Sequence, residues 1–182
     1  MALKATVCRA EVQVSDLDRG HYQTHQLTLA QHPSETPQRL MVRLLAFVLN
    51  VDADERLAFG RGLSAEDEPD LWRKDLTGEI QLWIDIGQPD ESRLRRACGR
   101  AREVRVYNYG GRAADLWWDR NADGLQRLRN LSVFDLPASA VEGLATLHAR
   151  QMQLQCMVQE GLVQWMDADR QVDLELRRRH PA

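Results

Sequence analysis

Two aspartates, Asp70 behind Pro69 and Asp85 inside the apolar run Ile80 to Ile86, are the residues best placed to do chemistry. Acids on neighbouring strands of one hairpin can aim at a single ion, and hard Mg²⁺ takes carboxylate oxygens. Such an ion polarises a phosphate and lowers the pKa of a water, as phosphodiester hydrolysis requires. Each acid also has a plainer reading. Pro-Asp is common in turns, and strand alternation could point Asp85 outward. Against that, a charge between Ile84 and Ile86 is rarely buried without a partner. Downstream, Arg93, Arg96 and Arg100 fall on one face of a helix and could bind substrate phosphates. The bland alternative is a solvated face paired with Asp90 and Glu91.

The elements that must position these residues follow from periodicity. Strict alternation over residues 5–14, weaker alternation over 22–30, and the break Asp16-Leu17-Asp18-Arg19-Gly20 predict an N-terminal hairpin. Leu40, Leu44, Phe47 and Val48 at helical spacing, behind Thr36-Pro37, predict a helix over 37–49. Residues 52–59 read as a short helical turn and 60–69 as a loop. Runs 70–74 and 79–86 around Asp75-Leu76-Thr77-Gly78 predict a second hairpin. Helices are expected at 90–101, 112–121 and 137–148, with strands at 104–109 and 131–136. From Gln151 the alternation resumes, and turns at Glu160-Gly161 and Asp167-Ala168-Asp169 make a three-strand antiparallel meander.

With 182 residues the expectation is one domain spanning 1–182. Hydrophobic content of 43% and charged content of 28% are ordinary for a globular chain. No segment approaches a membrane helix, and Met1-Ala2-Leu3-Lys4 leads into a strand without a signal-peptide core, so cytoplasmic residence is expected. A net charge of −3 gives no global pull on nucleic acid. Local patches are available, because 22 of the 24 basic residues are arginine.

Cys8, Cys98 and Cys156 are far apart and read as buried thiols. The tryptophans Trp72, Trp83, Trp117, Trp118 and Trp165 could stack on bases, but Trp72 and Trp83 read mainly as packing of the second hairpin. The five histidines form no metal-ligand motif. Gly60-Arg61-Gly62 is only a fragment of a phosphate loop, so no organic cofactor is expected. Arg177-Arg178-Arg179 reads as a solubilising tail.

The order helix, hairpin with Pro-Asp and then an acid, helix, strand resembles the PD-(D/E)XK nuclease superfamily. More closely, the whole chain resembles the YaeQ family. The agreement lies in His32-Pro33-Ser34-Glu35-Thr36, Phe59-Gly60-Arg61-Gly62-Leu63-Ser64, Asp67-Glu68-Pro69-Asp70-Leu71-Trp72, Leu82-Trp83-Ile84-Asp85-Ile86-Gly87-Gln88-Pro89-Asp90-Glu91 and Val106-Tyr107-Asn108-Tyr109. The resemblance implies an α/β (α+β) fold, a mixed sheet flanked by helices with a restriction-endonuclease-like core. It implies Asp70 and Asp85 as metal ligands and catalytic acids for Mg²⁺ or Mn²⁺. The motif's lysine falls at Gly87, and Gln88 is the nearest polar substitute, able to orient water but not to act as a base. Lys74 could reach the site from the partner strand, and Glu35 corresponds to an accessory acid in some of these nucleases. Two functions are therefore expected as rivals. One is Mg²⁺-dependent or vestigial nuclease chemistry on nucleic acid. The other is a non-catalytic binding or regulatory module that keeps the fold for a nucleic-acid or protein partner.

Overall fold

The computed structural model describes residues 4–64 and 66–181. They are mixed α+β, with two mixed sheets and four α-helices. They cluster into two compact units, one holding residues up to Ala53 with Ser139–Glu175, the other Asp54–Ala138 with the residues from Leu176 onward.

The first unit is a five-stranded sheet ordered β10-β9-β8-β1-β2. The hairpin is β1 (Thr6–Asp16) and β2 (His21–Gln31), longer than the alternation alone indicates. The meander is β8 (Gln151–Gln159), β9 (Leu162–Met166) and β10 (Gln171–Glu175). The two are joined edge to edge, because β1 pairs in parallel with β8. Cys8, Ala10, Val12 and Val14 alternate into the core, with Met152, Leu154, Cys156 and Val158 beside them. Helix α1 (Pro37–Asn50) starts where Thr36 Oγ1 accepts from Arg39 N at 3.2 Å, with proline in its first turn.

The second unit is a six-stranded sheet ordered β11-β7-β6-β5-β4-β3. The acids' hairpin is β4 (Leu71–Lys74) and β5 (Ile80–Ile86). Its turn is closed by Asp75, whose Oδ1 accepts from Thr77 N at 2.8 Å and Glu79 N at 3.0 Å. Helices α2 (Glu91–Arg100) and α3 (Arg112–Leu125) connect β5 to β6 (Ala101–Asn108) and β6 to β7 (Leu131–Asp135), and those three strands run parallel. Trp83, Val104, Val106, Leu131 and Val133 from the sheet and Leu94, Ala97, Trp118 and Leu125 from the helices make one core cluster. Between β7 and β8 lies α4 (Ala138–Thr146).

Two expectations are corrected. Residues 52–59 form no helical turn; Leu57–Phe59 is a strand, β3, pairing antiparallel with β4, because buried Leu57 fits that sheet edge. Arg177-Arg178-Arg179 is not a tail but part of β11 (Arg177–His180), antiparallel to β7. Three arginines offer no apolar period to read, and the strand is held instead by Arg179's carboxylate partners and the buried ring of His180. Of the thiols, Cys8 and Cys156 are buried and Cys98 is half-buried. Among the described residues no helix is long and apolar enough to cross a membrane.

Candidate functional site

Leu71 pairs with Ile84 across β4 and β5, so one further step of that antiparallel register sets Asp70 opposite Asp85. Directly opposed residues hold their Cβ atoms about 4.5–5.5 Å apart, and like charges there repel. Alternation puts Asp85 on the same face as Trp83, toward the α2 side, so it does not point outward. Asp70 is 8% and Asp85 2% exposed. Backbone fixes the first acid twice: Asp70 O accepts from Gly60 N at 2.9 Å, and Asp70 Oδ2 accepts from Ile86 N at 2.8 Å. Gly60 is required for that approach, since a Cβ there would lie 2.0 Å from Pro69 O.

The cation at Asp85 is Arg93. Its Nε donates to Asp85 Oδ2 and its Nη2 to Asp85 Oδ1, both at 2.9 Å, a two-point fork. The same side chain donates to Glu66 O at 2.6 Å and Glu68 O at 2.8 Å, tying down the loop before Asp70. The hydrogen bonds to Asp85, with the charges of Asp85 and Asp70 behind them, raise the Arg93 pKa despite burial. Arg100 contributes a weaker tie to Asp67 O at 3.4 Å, and both arginines lie over the Trp83 ring, 5.6 and 5.3 Å from its centre. Arg96 is exposed. Arg95, not Arg93, takes Glu91. The arginine face is thus divided, two members facing the acid hairpin and one facing water.

Gly87, where the motif's lysine would fall, sits at φ +91°, a conformation that side-chain-bearing residues rarely adopt. The chain turns there so that Gly87 N can donate to Tyr107 O at 2.9 Å. Gln88 follows, exposed, with Nε2 donating to Asn108 Oδ1 at 2.6 Å and to the carbonyl of Tyr109. A backbone carbonyl only accepts, so the amide's orientation is fixed, and Oε1 remains the end able to accept from a water. Lys74 is turned onto Trp72, its Nζ 3.6 Å from the ring centre. Glu35 belongs to the first unit and is buried against Arg43, with contacts of 2.7 and 2.8 Å.

One polar chain escaped the sequence reading. Asn108 Nδ2 donates to Asp135 Oδ1 at 3.0 Å and to Ala114 O at 3.3 Å, and Asp135 and Asp115 both accept from Arg179. It runs along the C-terminal ends of the parallel strands β5, β6 and β7, the edge where open α/β sheets bind ligands. Asn108 and Asp135 each close an apolar alternation, Val104-Val106-Asn108 and Leu131-Val133-Asp135. That polar ending of a core face was the available signal. For Arg179 there was none. Among the described residues no group of three or more His, Cys, Asp or Glu is arranged to hold a metal. A cation here would have the two carboxylates and solvent, an arrangement Mg²⁺ accepts because it keeps several waters.

Comparison with known proteins gives the same family throughout. The sequence model described as YaeQ protein matches residues 1–176. A protein named YaeQ from Salmonella typhi is 46% identical over 177 residues, 97% of this chain and 96% of its own length. One from Escherichia coli is 46% identical over 171 residues, 93% of this chain and 92% of its own. The crystal structure of the YaeQ protein from Xanthomonas axonopodis pv. citri superposes with a TM-score of 0.92 at 55% identity, covering 96% of this chain and 98% of that one. The Pseudomonas syringae YaeQ structure gives 0.92 at 35% identity, covering 98% and 97%.

Proposed function

The chain belongs to the YaeQ family, and on that premise we propose that it is a nuclease-like protein directed at nucleic-acid phosphodiesters. In this reading the second unit is a PD-(D/E)XK-like core, Asp70 and Asp85 are the ligands of Mg²⁺ or Mn²⁺, and Gln88 positions a water. The observation that carries it is that two buried acids flank the Leu71–Ile84 pair of β4 and β5, with a cation already hydrogen-bonded to Asp85 and held by the charge of Asp70 as well. Neighbouring buried carboxylates repel unless a positive charge offsets them. Arg93 supplies that charge here, and the same oxygens suit a hard divalent ion. When bound, such an ion would polarise a phosphate and acidify a water. The chain's own residues would orient the substrate: Gln88 Oε1 accepts from the water, while Arg96, exposed on α2, offers a phosphate contact beside the site.

The rival, a non-catalytic module on the same fold, is favoured by Gly87. A lysine there would be strained at φ +91°, and glycine offers no group at that position to supply charge to, or deprotonate, a water. The two readings separate in a cleavage assay of single- and double-stranded DNA and RNA with Mg²⁺ or Mn²⁺, wild type against Asp85→Asn. Metal-dependent cleavage lost in the variant supports the nuclease; no cleavage by wild type, or cleavage unchanged in the variant, leaves the binding module.

A further inference from the structure

A β-sheet edge is a row of unpaired N–H and C=O groups, and proteins blunt it with short strands, charges, proline or bulges. Three of the four sheet edges here carry such devices. β3 has 3 residues. β10 has 5 and includes Asp173 and Glu175. β11 has 4, three of them arginine, with a register shift against β7. β2 is different. It runs 11 residues, His21 to Gln31, with no Lys, Arg, Asp, Glu, Pro or Gly.

The direction of its free groups follows from the ladder. Arg9 N donates to Arg150 O at 2.8 Å and Leu17 N to Val158 O at 2.8 Å, so odd-numbered residues of β1 bond toward β8 and even-numbered ones toward β2. Their partners in β2 are odd-numbered, Ala10 opposite Leu27 and Val12 opposite His25. The even residues of β2 therefore direct N–H and C=O away from the sheet. At one end that outward row is capped, because Ala30 O accepts from Arg43 Nη2 at 3.0 Å. Tyr22, Thr24, Gln26 and Thr28 remain, all exposed, and Tyr22 is 64% exposed. Among the described residues no backbone bond from another strand reaches them.

We propose that this edge pairs antiparallel with the same edge of a second copy of the chain, joining two five-stranded sheets across a two-fold axis at His25. A hydrogen-bonded antiparallel pair needs both residues directed outward, and the symmetric register meets that condition throughout. Tyr22 lies opposite Thr28 of the copy and Thr24 opposite its Gln26, which leaves the capped Ala30 outside the ladder. The segment carries no formal charge when its histidines are neutral, and Thr and Gln side chains face one another, Gln26 also donating from Nε2 to Glu11 Oε2 at 3.3 Å on β1. Such an interface is isologous and closes at two copies, unlike a head-to-tail edge. The pairing also covers Tyr22, an aromatic with no apolar role in the free chain.

The test is the mass of the full chain by sedimentation equilibrium up to about 100 µM, a range that captures weak pairs. Wild type is expected at twice the 20.9 kDa chain mass. Thr24→Lys/Gln26→Lys puts lysines opposite one another, and Thr24→Glu/Gln26→Glu does the same with acids; each is expected to be monomeric with an unchanged far-UV spectrum. Mixed, the two are expected to restore the dimer, which shows that the two copies meet along this edge. A monomeric wild type would overturn the proposal, as would dimers persisting in either charged variant or a mixture that stays monomeric.

Discussion

Arg93 grips both carboxylate oxygens of Asp85 at 2.9 Å and, with the same guanidinium, the carbonyls of Glu66 and Glu68. One side chain thus neutralises the acid hairpin and pins the loop in front of it. Arg93→Ala would leave Asp85 buried opposite Asp70 with no countercharge. Since Arg93 is 25% exposed and partly screened, a loss of about 2–3 kcal/mol is expected, below the full range for a broken buried pair. Urea unfolding at neutral pH measures it, and a loss under about 0.5 kcal/mol would show the fork to be worth no more than a surface pair.

Restoring the motif's lysine should fail for a backbone reason. Gly87 lies at φ +91°, and a Cβ there would come no nearer than 4.0 Å to Tyr109, so the first carbon of a side chain fits and backbone conformation is the obstacle. Gly87→Lys is expected to lower stability by about 1–3 kcal/mol. Gly99→Lys, in the exposed face of α2 with open space around it, is the control and should be neutral or stabilising. Equal Tm changes in the two variants would remove the strain argument.

How much of this was legible before the structure varies by residue. Asp70 and Asp85 were, because Pro-Asp before a strand and an acid within an apolar run are local signals. Their exact opposition was not, since register depends on a bulge between Arg73 and Lys74 that no turn residue announces. The N-terminal hairpin and the meander were read from alternation, but not that β1 joins β8 in parallel, a pairing that rests on contacts far apart in sequence. Arg93 was placed on the right face and given phosphate as its partner. A helix face shows only its direction, and the carboxylate waiting there belonged to another element.

Loss of the Arg179 side chain should be felt at both acids it holds. Asp135 is buried and bound from the other side by Asn108, so Arg179→Ala leaves a carboxylate without its charge partner. A destabilisation of about 2 kcal/mol or more is expected, with β11 released from β7. Hydrogen exchange reads this directly: faster exchange confined to Leu131–Asp135 and Arg177–His180 supports it, and unchanged protection there contradicts it.

Alkaline pH should weaken the fold through buried Cys156 and half-buried Cys98. Burial pushes Cys156 up to about 12 and Cys98 to about 11, from an unfolded value of 9.0. Above pH 9 the unfolded chain loses these protons and the folded chain keeps them, so stability is full below the unfolded pKa and falls as pH rises toward 11–12. Each thiol contributes a slope of up to about 1.4 kcal/mol per pH unit in that window. Urea midpoints at pH 8 and pH 10.5 for wild type and Cys156→Ala, within about 0.3 pH units, check it: the decline should be shallower in the variant, and equal declines would place the effect elsewhere.

The central claim is that Asp70 and Asp85 form a cation site that Arg93 now fills. Calorimetric titration with Mn²⁺ addresses it most directly, using wild type, Arg93→Ala and Asp85→Asn. One site is predicted, at least about tenfold tighter in Arg93→Ala because the competing charge is gone, and lost in Asp85→Asn. Binding absent from both wild type and Arg93→Ala, or undiminished in Asp85→Asn, would contradict it.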